Sequence, residues 1–458
     1  MKKIVILLLL AFFVIELNAQ TTNTSKWRKT ERDSFENAFL LYEEGNHELA
    51  FPIYEACNKN HPNQPFIRYM YGKTALVRSD KHAEALEYLQ EAYDGNKKII
   101  LIEYDLAKAL HLNYKFEDAL VKIDAFFKQK KITPEERTQA ELLKKHILNA
   151  KELYAKPVDT KVINLGKPIN TAEEEYSPVI TIDESMFVYT YKGAKSKGGR
   201  MNAFGEKSDV GYYAEDVYYS VKLRDTIRDP KPSENINTDA NDAAISLSPD
   251  GHTLFVYRDG GDDKGDIYKS DLVGEEFSIP VKLTGQVNSY SWDGHCSITP
   301  DGKTLYFSSE RPGGFGGRDI YKATLQADST WGNVVNLGDS INTKYDEDSP
   351  FIHPDGVTLF YSHNGVKSMG GYDVFRSRME PDSTFKTTTN LGYPINTPDN
   401  DIYFVLAANG KRGYYSSGKP GGQGLKDIYL LEGYFGAPKA ITFLVKGKVT
   451  SKGNPYES

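Results

Sequence analysis

The sequence predicts a multidomain protein, α then β: an N-terminal α-solenoid of helical repeats followed by a five-bladed β-propeller. Between residues 30 and 156, proline and glycine are sparse and apolar residues recur at helical spacing. From residue 158 onward, short strand-like runs alternate with turns of Gly, Pro, Asp and Asn. An Asp-(Ile/Val)-(Tyr/Phe) marker returns five times in this part, at intervals of 50, 53, 54 and 54 residues.

Composition and charge limit the possible partners. The chain has 458 residues, of which 26% are charged and 39% hydrophobic, as in ordinary globular domains. Its net charge of −7 argues against generic nucleic-acid binding, which depends on basic surface. We therefore expect a protein, glycan or small-molecule partner and no nucleic acid.

The first residues have the layout of an export signal. Lys2 and Lys3 precede an apolar run over 4–15, which is too short to span a bilayer, and Ala19 offers a cleavage point. Residues 1–19 are therefore expected to be a cleavable signal peptide, and the segment has no cysteine for lipid attachment. This predicts a periplasmic protein that is not a lipoprotein and has no transmembrane segment.

Three segments of the helical region align with one another. Their matching small residues are Ala50, Ala85 and Ala119, spaced by 35 and 34 residues. This period resembles that of tetratricopeptide repeats, whose paired helices need a small residue where they touch. Pro134 is expected to open a final capping helix. The helical domain is therefore assigned to residues 20–156.

In such arrays the first helix of each pair lines a concave face that binds extended peptides. Counting back from the matching alanines places six side chains in two columns on these helices. The aromatic members are either core residues beside solvated lysines, or they contact a partner in a groove with cationic ends. The columns are Phe35, Tyr69 and Tyr104, and Phe39, Lys73 and Lys108.

The β region repeats further markers with the same period. Each unit combines a hairpin turn with an asparagine marker, and four antiparallel strands per unit of about 54 residues are typical of a propeller blade. The run Pro-Asp-Gly-Lys-Thr-Leu-Tyr-Phe-Ser-Ser from Pro300, followed by glycines and Asp-Ile-Tyr, resembles the WD-like repeats of TolB-type propellers. The propeller is assigned to residues 157–436. A strand from Lys161 to Leu165 is expected to complete the blade that ends near Gly433, which closes a ring of five.

The glycine-rich segment RPGGFGGR, residues 311–318, admits two interpretations. A phosphate-binding loop needs a following helix whose N-terminus faces the anion. Here Asp319-Ile320-Tyr321 follows and favours a strand. The segment is therefore interpreted as a hairpin loop within a blade.

An acidic residue stands five positions after each marker asparagine, near the start of the first strand of each unit. Each carboxylate either accepts hydrogen bonds from a blade turn or joins a ring at one mouth of the channel, able to hold a cation or a basic peptide. A glycosidase needs two unlike carboxyl groups, one protonated and one ionised. Five equivalent carboxylates do not single out such a pair. We expect no catalytic residue, cofactor or resident metal. The five acids are Glu175, Asp242, Asp293, Glu347 and Asp401.

The first unit carries a 15-residue insertion rich in basic residues and glycine. Lys195, Lys197 and Arg200 lie in it, and the insertion is either solvent-exposed filler or a partner contact. Cys57 and Cys296 fall in different predicted domains, so they are expected to be two buried free thiols.

Residues 440–458 resemble the opening strands of a carboxypeptidase-regulatory-like β-sandwich. The order of modules resembles the periplasmic OmpA-family proteins of Bacteroidetes, which include PorE-type components of the type IX secretion and gliding apparatus. That resemblance implies a non-catalytic scaffold that binds outer-membrane or secretion-system subunits. It also implies peptidoglycan attachment through a C-terminal domain that is not among these residues. The alternative is a glycan-binding or glycoside-hydrolysing propeller.

Overall fold

The structure, a computed structural model, describes residues 27–202, 207–208, 211–223, 226–260, 263–436, 450–451 and 454–455. The expected signal peptide, residues 1–19, lies outside them. Within the described residues, seven α-helices precede the first strand. The helices are α1 (Lys29–Glu43), α2 (His47–Asn60), α3 (Pro65–Ala75), α4 (His82–Gly95), α5 (Ile102–Leu112), α6 (Phe116–Phe126) and α7 (Pro134–Tyr154).

Neighbouring helices pack against each other along the chain. The aligned residues Ala50, Ala85 and Ala119 are fully buried, as expected of small residues where helices touch. Helix α7 begins at Pro134, as predicted, after a capping box. Thr133 Oγ1 accepts a hydrogen bond from the Glu136 N–H at 3.1 Å, and the Glu136 carboxylate accepts one from the Thr133 N–H at 2.8 Å. The box satisfies two N–H groups that would otherwise lack partners at the start of the helix.

Five antiparallel sheets follow, and together they form a five-bladed β-propeller. Blade 1 contains β2 (Glu174–Ile180), β3 (Met186–Lys192), β6 (Glu215–Leu223), β7 (Thr226–Ile227) and β8 (Lys231–Pro232), and its insertion adds the ribbon β4 (Arg200–Met201) and β5 (Tyr212–Tyr213). Blade 2 contains β9 (Asn241–Leu247), β10 (Thr253–Gly260), β11 (Asp263–Val273), β12 (Glu276–Phe277) and β13 (Val281–Lys282). Blade 3 contains β14 (Asp293–Ile298), β15 (Thr304–Ser309), β16 (Asp319–Leu325) and β17 (Trp331–Asn336). Blade 4 contains β18 (Glu347–Ile352), β19 (Thr358–His363), β20 (Asp373–Met379) and β21 (Phe385–Asn390).

Blade 5 joins the two ends of the ring. It contains β22 (Asp401–Leu406), β23 (Arg412–Ser417), β24 (Asp427–Gly433) and, as its outer strand, β1 (Thr160–Asn164). Strand β1 pairs with β24 in a register that runs from Thr160 opposite Gly433 to Asn164 opposite Tyr429. The predicted closure is therefore confirmed. Because the first strand of the β region completes the last blade, the ring cannot open without breaking this ladder.

Hydrogen bonds explain why two of the sequence markers recur together. In every blade the marker asparagine donates its amide to the main-chain oxygen of the residue after the marker aspartate and accepts a bond from the N–H of that residue. In blade 3, for example, Asn342 pairs in this way with Ile320 at 2.9 and 2.8 Å. The Asp319 carboxylate accepts the N–H groups of Phe315 and Gly316 at 2.6 and 3.0 Å. The loop of residues 311–318 therefore wraps around a carboxyl group of its own chain.

Two predictions concern the remaining parts of the chain. Cys57 and Cys296 are buried free thiols, as predicted. Of the proposed sandwich segment 440–458, only the paired strands β25 (Thr450–Ser451) and β26 (Asn454–Pro455) are described. The rest of that prediction lies outside the described residues.

Candidate functional site

A cleft of about 1130 Å³ lies between the helices and blade 1. Helices α1 and α2 supply one wall, and the start of β2, the end of β3 and the β4–β5 ribbon supply the other. Residues that line it include Glu48 and Phe51 from α2 and Lys192, Arg200 and Tyr212 from blade 1. Acidic, basic and aromatic side chains thus share one surface built by both parts of the molecule.

Lys192 connects the two walls of the cleft. Its Nζ lies 3.3 Å from Glu48 Oε1 on α2 and 3.7 Å from Glu174 Oε1 on β2. Burial acts to lower the pKa of Lys192, but the charges of Glu174 and Glu48 outweigh it and raise that pKa. Burial likewise opposes ionisation of Glu174, whereas Lys426 and Lys192 together lower the pKa of its carboxyl group. Lys192 and Glu174 therefore stabilise the charged form of each other across the wall of the cleft.

A second contact between helices and propeller lies on blade 4. The loop between β19 and β20 enters the helical array, where Met369 is fully buried within the same apolar cluster as the helices. Asn149 of α7 donates its side-chain amide to the main-chain oxygens of Val366 and Ser368 at 2.7 and 3.0 Å. His146 Nε2 donates to the oxygen of Gly365 at 2.9 Å. Helix α7 therefore binds the main chain of this loop as if it were a peptide.

An aromatic cluster adjoins this contact. The rings of Tyr154 and Tyr393 have centroids 4.6 Å apart, and Tyr114 lies 5.5 Å from the first and 6.3 Å from the second. The Val158 N–H donates to the oxygen of Tyr393 at 2.7 Å, close to the point where the chain passes from α7 to β1. These contacts fix the array against the propeller.

The two predicted columns of the helical array are mostly core. Phe35 and Tyr69 are buried, and Tyr104 is half-buried with its ring 5.7 Å from Phe126. Tyr69 donates its hydroxyl to Asp105 at 2.6 Å. The aromatic column therefore contacts other residues inside the array. Phe35 and Tyr69 do not line an accessible groove.

The second column is also engaged within the molecule. Phe39 packs against the apolar core of the array. Lys73 Nζ lies 3.7 Å from Asp105 Oδ2 and stands over the rings of Tyr42 and Tyr69, at 5.1 and 5.6 Å from their centroids. Lys108 is half-buried. The expectation of solvated lysines is therefore wrong for Lys73, because a carboxylate and two aromatic rings surround its amine.

The five repeat acids do not form an open ring at the channel mouth. Each is fully buried and accepts a hydrogen bond from the main-chain N–H of the residue four positions earlier. In four of the five the hydroxyl of that residue donates as well. Each carboxylate therefore stabilises the turn that leads into its blade. Of the two expected roles, turn stabilisation and a ring at the channel mouth, this is the first. The acids are Glu175, Asp242, Asp293, Glu347 and Asp401.

Four of these acids also meet a basic side chain from the second strand of the blade or the loop after it. Arg258 Nε lies 2.5 Å from Asp242, Arg311 lies 2.8 Å from Asp293, His363 Nδ1 lies 2.6 Å from Glu347, and Lys419 lies 3.7 Å from Asp401.

Glu175 differs from the other four acids, because Tyr191 occupies the cross-strand position opposite it. Among the described residues, no Lys, Arg or His forms an ion pair with Glu175. Burial raises the pKa of Glu175 to about 7.

A polar cluster lies where the first strands of the blades begin. Asp348 is buried and lies 2.8 Å from both His295 Nδ1 and Arg318 Nη1. Burial opposes its ionisation, but His295 and Arg318 outweigh burial and lower the pKa of Asp348. The rings of Tyr176 and Tyr403 stack nearby, with centroids 5.8 Å apart, and the His295 ring lies 4.7 Å from that of Tyr403.

Sequence reasoning missed these residues for a physical reason. His295, Asp348 and Tyr403 stand one or two positions after the repeat acids, where the blades differ from each other. The five positions directly after the acids are occupied by Tyr176, Ala243, Gly294, Asp348 and Ile402. A position whose residue type differs between blades is not fixed by the architecture of the blade. This variation was the signal in the sequence from which these residues could have been found.

Hydrogen bonds connect the described part of the basic insertion to the propeller. Lys197 donates its N–H to Asp216 at 2.8 Å and its amine to the oxygen of Asn237 at 2.7 Å, whereas Lys195 is exposed. Arg200 stands over the ring of Tyr213, 4.7 Å from its centroid, and lines the cleft. Of the three predicted contact residues, only Arg200 therefore lies on the shared surface.

Two kinds of feature are absent from the described residues. In these parts of the chain, no helix is long and apolar enough to cross a membrane. Likewise, no group of three or more His, Cys, Asp or Glu side chains in the described ranges is placed to hold a metal ion.

Comparisons with known proteins are limited to solved structures. No protein-family model matches the chain, and no curated protein does. The similar structures include TolB from Acinetobacter baumannii, at 18% identity and a TM-score of 0.35, aligned over 57% of this chain and 56% of that one. They also include the endo-arabinase from Bacteroides thetaiotaomicron, at 15% identity and a TM-score of 0.40, over 60% and 98% of the two chains. A glycoside hydrolase aligns at 9% identity and a TM-score of 0.41, over 70% and 100%. The alignment spans little more than half of the TolB chain, and likenesses this distant carry no argument about function.

Proposed function

We propose that this chain is a non-catalytic scaffold of the periplasm that binds a protein partner in the cleft between the helices and blade 1. The observation that carries the proposal is the construction of that cleft from both parts of the molecule. Lys192 joins its walls through Glu48 and Glu174, and the blade 4 loop locks the helices in place. A preorganised surface loses little conformational entropy when a partner binds.

The finer parts of this proposal come from the module order. We propose that the helices are a tetratricopeptide-type solenoid and that the chain is exported by its first 19 residues. In this proposal the partner is an outer-membrane or type IX secretion subunit, and an OmpA-like domain elsewhere in the protein holds peptidoglycan. The mixed charges and aromatic rings of the cleft suit a polar protein surface.

Site-specific photo-crosslinking in the envelope of the producing organism tests the scaffold. A photoreactive phenylalanine analogue replaces Tyr212 in the cleft, and a matched control replaces Lys386, whose side chain is 61% exposed on the outer strand of blade 4. We expect the Tyr212 probe to capture a defined envelope protein that the Lys386 probe does not capture. Identical patterns at both positions, or no protein at either, would contradict the proposal.

The second candidate is a glycan-acting propeller, and one observation favours it. Burial raises the pKa of Glu215, although Tyr176 and Lys192 act against it, while the pKa of Glu174 on the same blade is lowered. Carboxyl groups with opposed shifts suit acid and base roles in glycoside hydrolysis. Reducing-sugar release from a panel of polysaccharides tests this candidate. Activity that is lost in both Glu215→Gln and Glu174→Gln would support it over the scaffold.

A further inference from the structure

Three loops of the propeller share one hydrogen bond to the aspartate that follows them. They are residues 311–318 in blade 3, 365–372 in blade 4 and 418–426 in blade 5, and each precedes a marker aspartate. The residue four positions before that aspartate donates its main-chain N–H to the carboxylate. The three bonds run from Phe315 to Asp319 at 2.6 Å, from Met369 to Asp373 at 2.8 Å and from Gln423 to Asp427 at 2.5 Å.

The next residue in each loop is a glycine that lies against the chain entering the following blade. A Cβ atom at Gly316, Gly370 or Gly424 would come within 2 Å of a main-chain oxygen. The oxygens belong to Tyr345, Pro398 and Glu173, respectively. The loops are therefore held in place from two sides, and each presents the side chain before its glycine in an equivalent way. We call this side chain the tip residue.

Blade 4 shows what a tip residue can do. Met369 is its tip, and this side chain is fully buried in the helical array. Asn149 and His146 of α7 bind main-chain oxygens of the residues that precede the tip, between positions 365 and 368. The contact combines an apolar tip that enters a helical surface with side-chain donors that hold the loop backbone. The side-chain donors of α7 bind main-chain carbonyl groups, so this part of the contact does not depend on the other side chains of the loop.

Blade 3 presents a larger apolar tip, and about half of its side chain is exposed in the described residues. The Phe315 side chain is 51% exposed. Tyr290, on the loop that enters blade 3, is fully exposed. Arg311 connects the two loops, since its guanidinium donates to the main-chain oxygens of Gln286 and Val287. An exposed aromatic ring on a rigid loop is the kind of anchor that dominates protein interfaces.

We propose that the blade 3 loop is a docking element for an α-helical array of another protein, which buries Phe315 as this chain's own array buries Met369. The partner supplies an apolar recess between helices and amide or imidazole donors for the loop carbonyls. The array of this chain is already filled by its own blade 4 loop, so the occupant is a helical array of a different protein. The inference rests on the proposed scaffold function and names a class of partner for a second surface.

Photo-crosslinking of the full chain in its native envelope tests the inference. The photoreactive phenylalanine analogue replaces Phe315, and the matched control replaces Val335, which is 50% exposed on the outer strand of the same blade. We expect the Phe315 probe to crosslink to a helical segment of one other protein and the Val335 probe to capture nothing in common with it. Capture of a second copy of this chain, of a non-helical segment, or of the same proteins at both positions would overturn the inference.

A variant gives the second measurement. Phe315→Ala should lower the yield of the purified complex, or raise its Kd, by about tenfold or more, as loss of an aromatic anchor does. Because the Phe315 side chain is half exposed, the thermal unfolding of the Phe315→Ala variant should match that of the Val335→Ala variant. An unchanged Kd for the Phe315→Ala variant would count against the inference. The cleft probe at Tyr212 separates the two proposals. A partner captured at Tyr212 but not at Phe315 leaves the scaffold intact and removes the docking element, whereas no capture at either position removes both.

Discussion

The side-chain amide of Asn396 lies along the main chain of Val374 like a neighbouring strand. It donates to the Val374 oxygen at 2.9 Å and accepts the Val374 N–H at 2.8 Å. Asn396 is fully buried. The same pair recurs between Asn170 and Ile428, where it reaches across the closure of the ring. A short side chain thus completes hydrogen bonding at the start of each third strand, where the neighbouring strand has already ended.

Replacement of this asparagine should destabilise the propeller. In Asn396→Ala, the buried N–H of Val374 loses its partner and the Val374 oxygen keeps only the N–H of Leu391, which should cost about 1 to 3 kcal/mol of unfolding free energy. Asn63→Ala is the control, because Asn63 is exposed between α2 and α3, and it should change that free energy by less than about 0.5 kcal/mol. Urea unfolding followed by tyrosine and tryptophan fluorescence measures both. Equal stability of the two variants would show that solvent replaces the amide.

The contact between array and propeller should depend on one side chain. Met369→Ala removes a fully buried side chain from the helical core and should cost about 2 to 5 kcal/mol. The matched control is Val366→Ala in the same loop, where the side chain is 43% exposed. Hydrogen exchange of the loop 365–369 and of α7 measures the effect. Protection should fall in both segments for Met369→Ala and should persist in the control.

The repeat period predicts the blades, their number and the closing strand, because hydrogen-bonded turns and strands impose the same residues in every unit. It does not predict which chemistry a repeated residue performs. The acids recur whether they face a channel or close a turn, and their spacing is the same in both cases. The docking of Met369 was equally hidden, since the tip position is Phe315 in blade 3 and Gln423 in blade 5. Only the relative placement of helices and blades selects one tip for burial.

Asp348 should stabilise the protein at neutral pH and not in acid. His295 and Arg318 lower its pKa in the folded state against the effect of burial, so its contribution is present above the ordinary pKa near 4 and is lost as the pH falls below it. Asp348→Asn leaves Arg318 without its buried partner and should cost about 3 to 5 kcal/mol at pH 7. Urea unfolding at pH 7 and pH 3 tests this, with the exposed Asp118→Asn as control. The difference from wild type should shrink at pH 3, and a constant difference would contradict the assignment.

Glu175 should have the opposite pH dependence. Tyr191 lies opposite it, and burial, reinforced by the charges of Asp427 and Glu173, raises the pKa of Glu175 to about 7 although Thr171 hydrogen-bonds to it. The folded state then holds a proton that the unfolded chain releases near its ordinary pKa of 4.5. Stability contributed by this group is therefore present at low pH and is lost as the pH rises towards 7.

A neutral amide in place of Glu175 should remove this loss of stability at higher pH. Glu175→Gln can keep both contacts with Thr171, because the amide oxygen accepts the N–H and the hydroxyl can accept from the amide nitrogen. Relative to wild type, the variant should gain stability between pH 5 and pH 8, by up to about 3 kcal/mol. Glu347→Gln is the matched control, since His363 lies 2.6 Å from that carboxylate, and it should lose stability at both pH values. Unfolding free energies of the three proteins at pH 5 and pH 8 decide the matter. If Glu175→Gln followed Glu347→Gln, the carboxylate of Glu175 would have to be ionised and matched by an opposite charge.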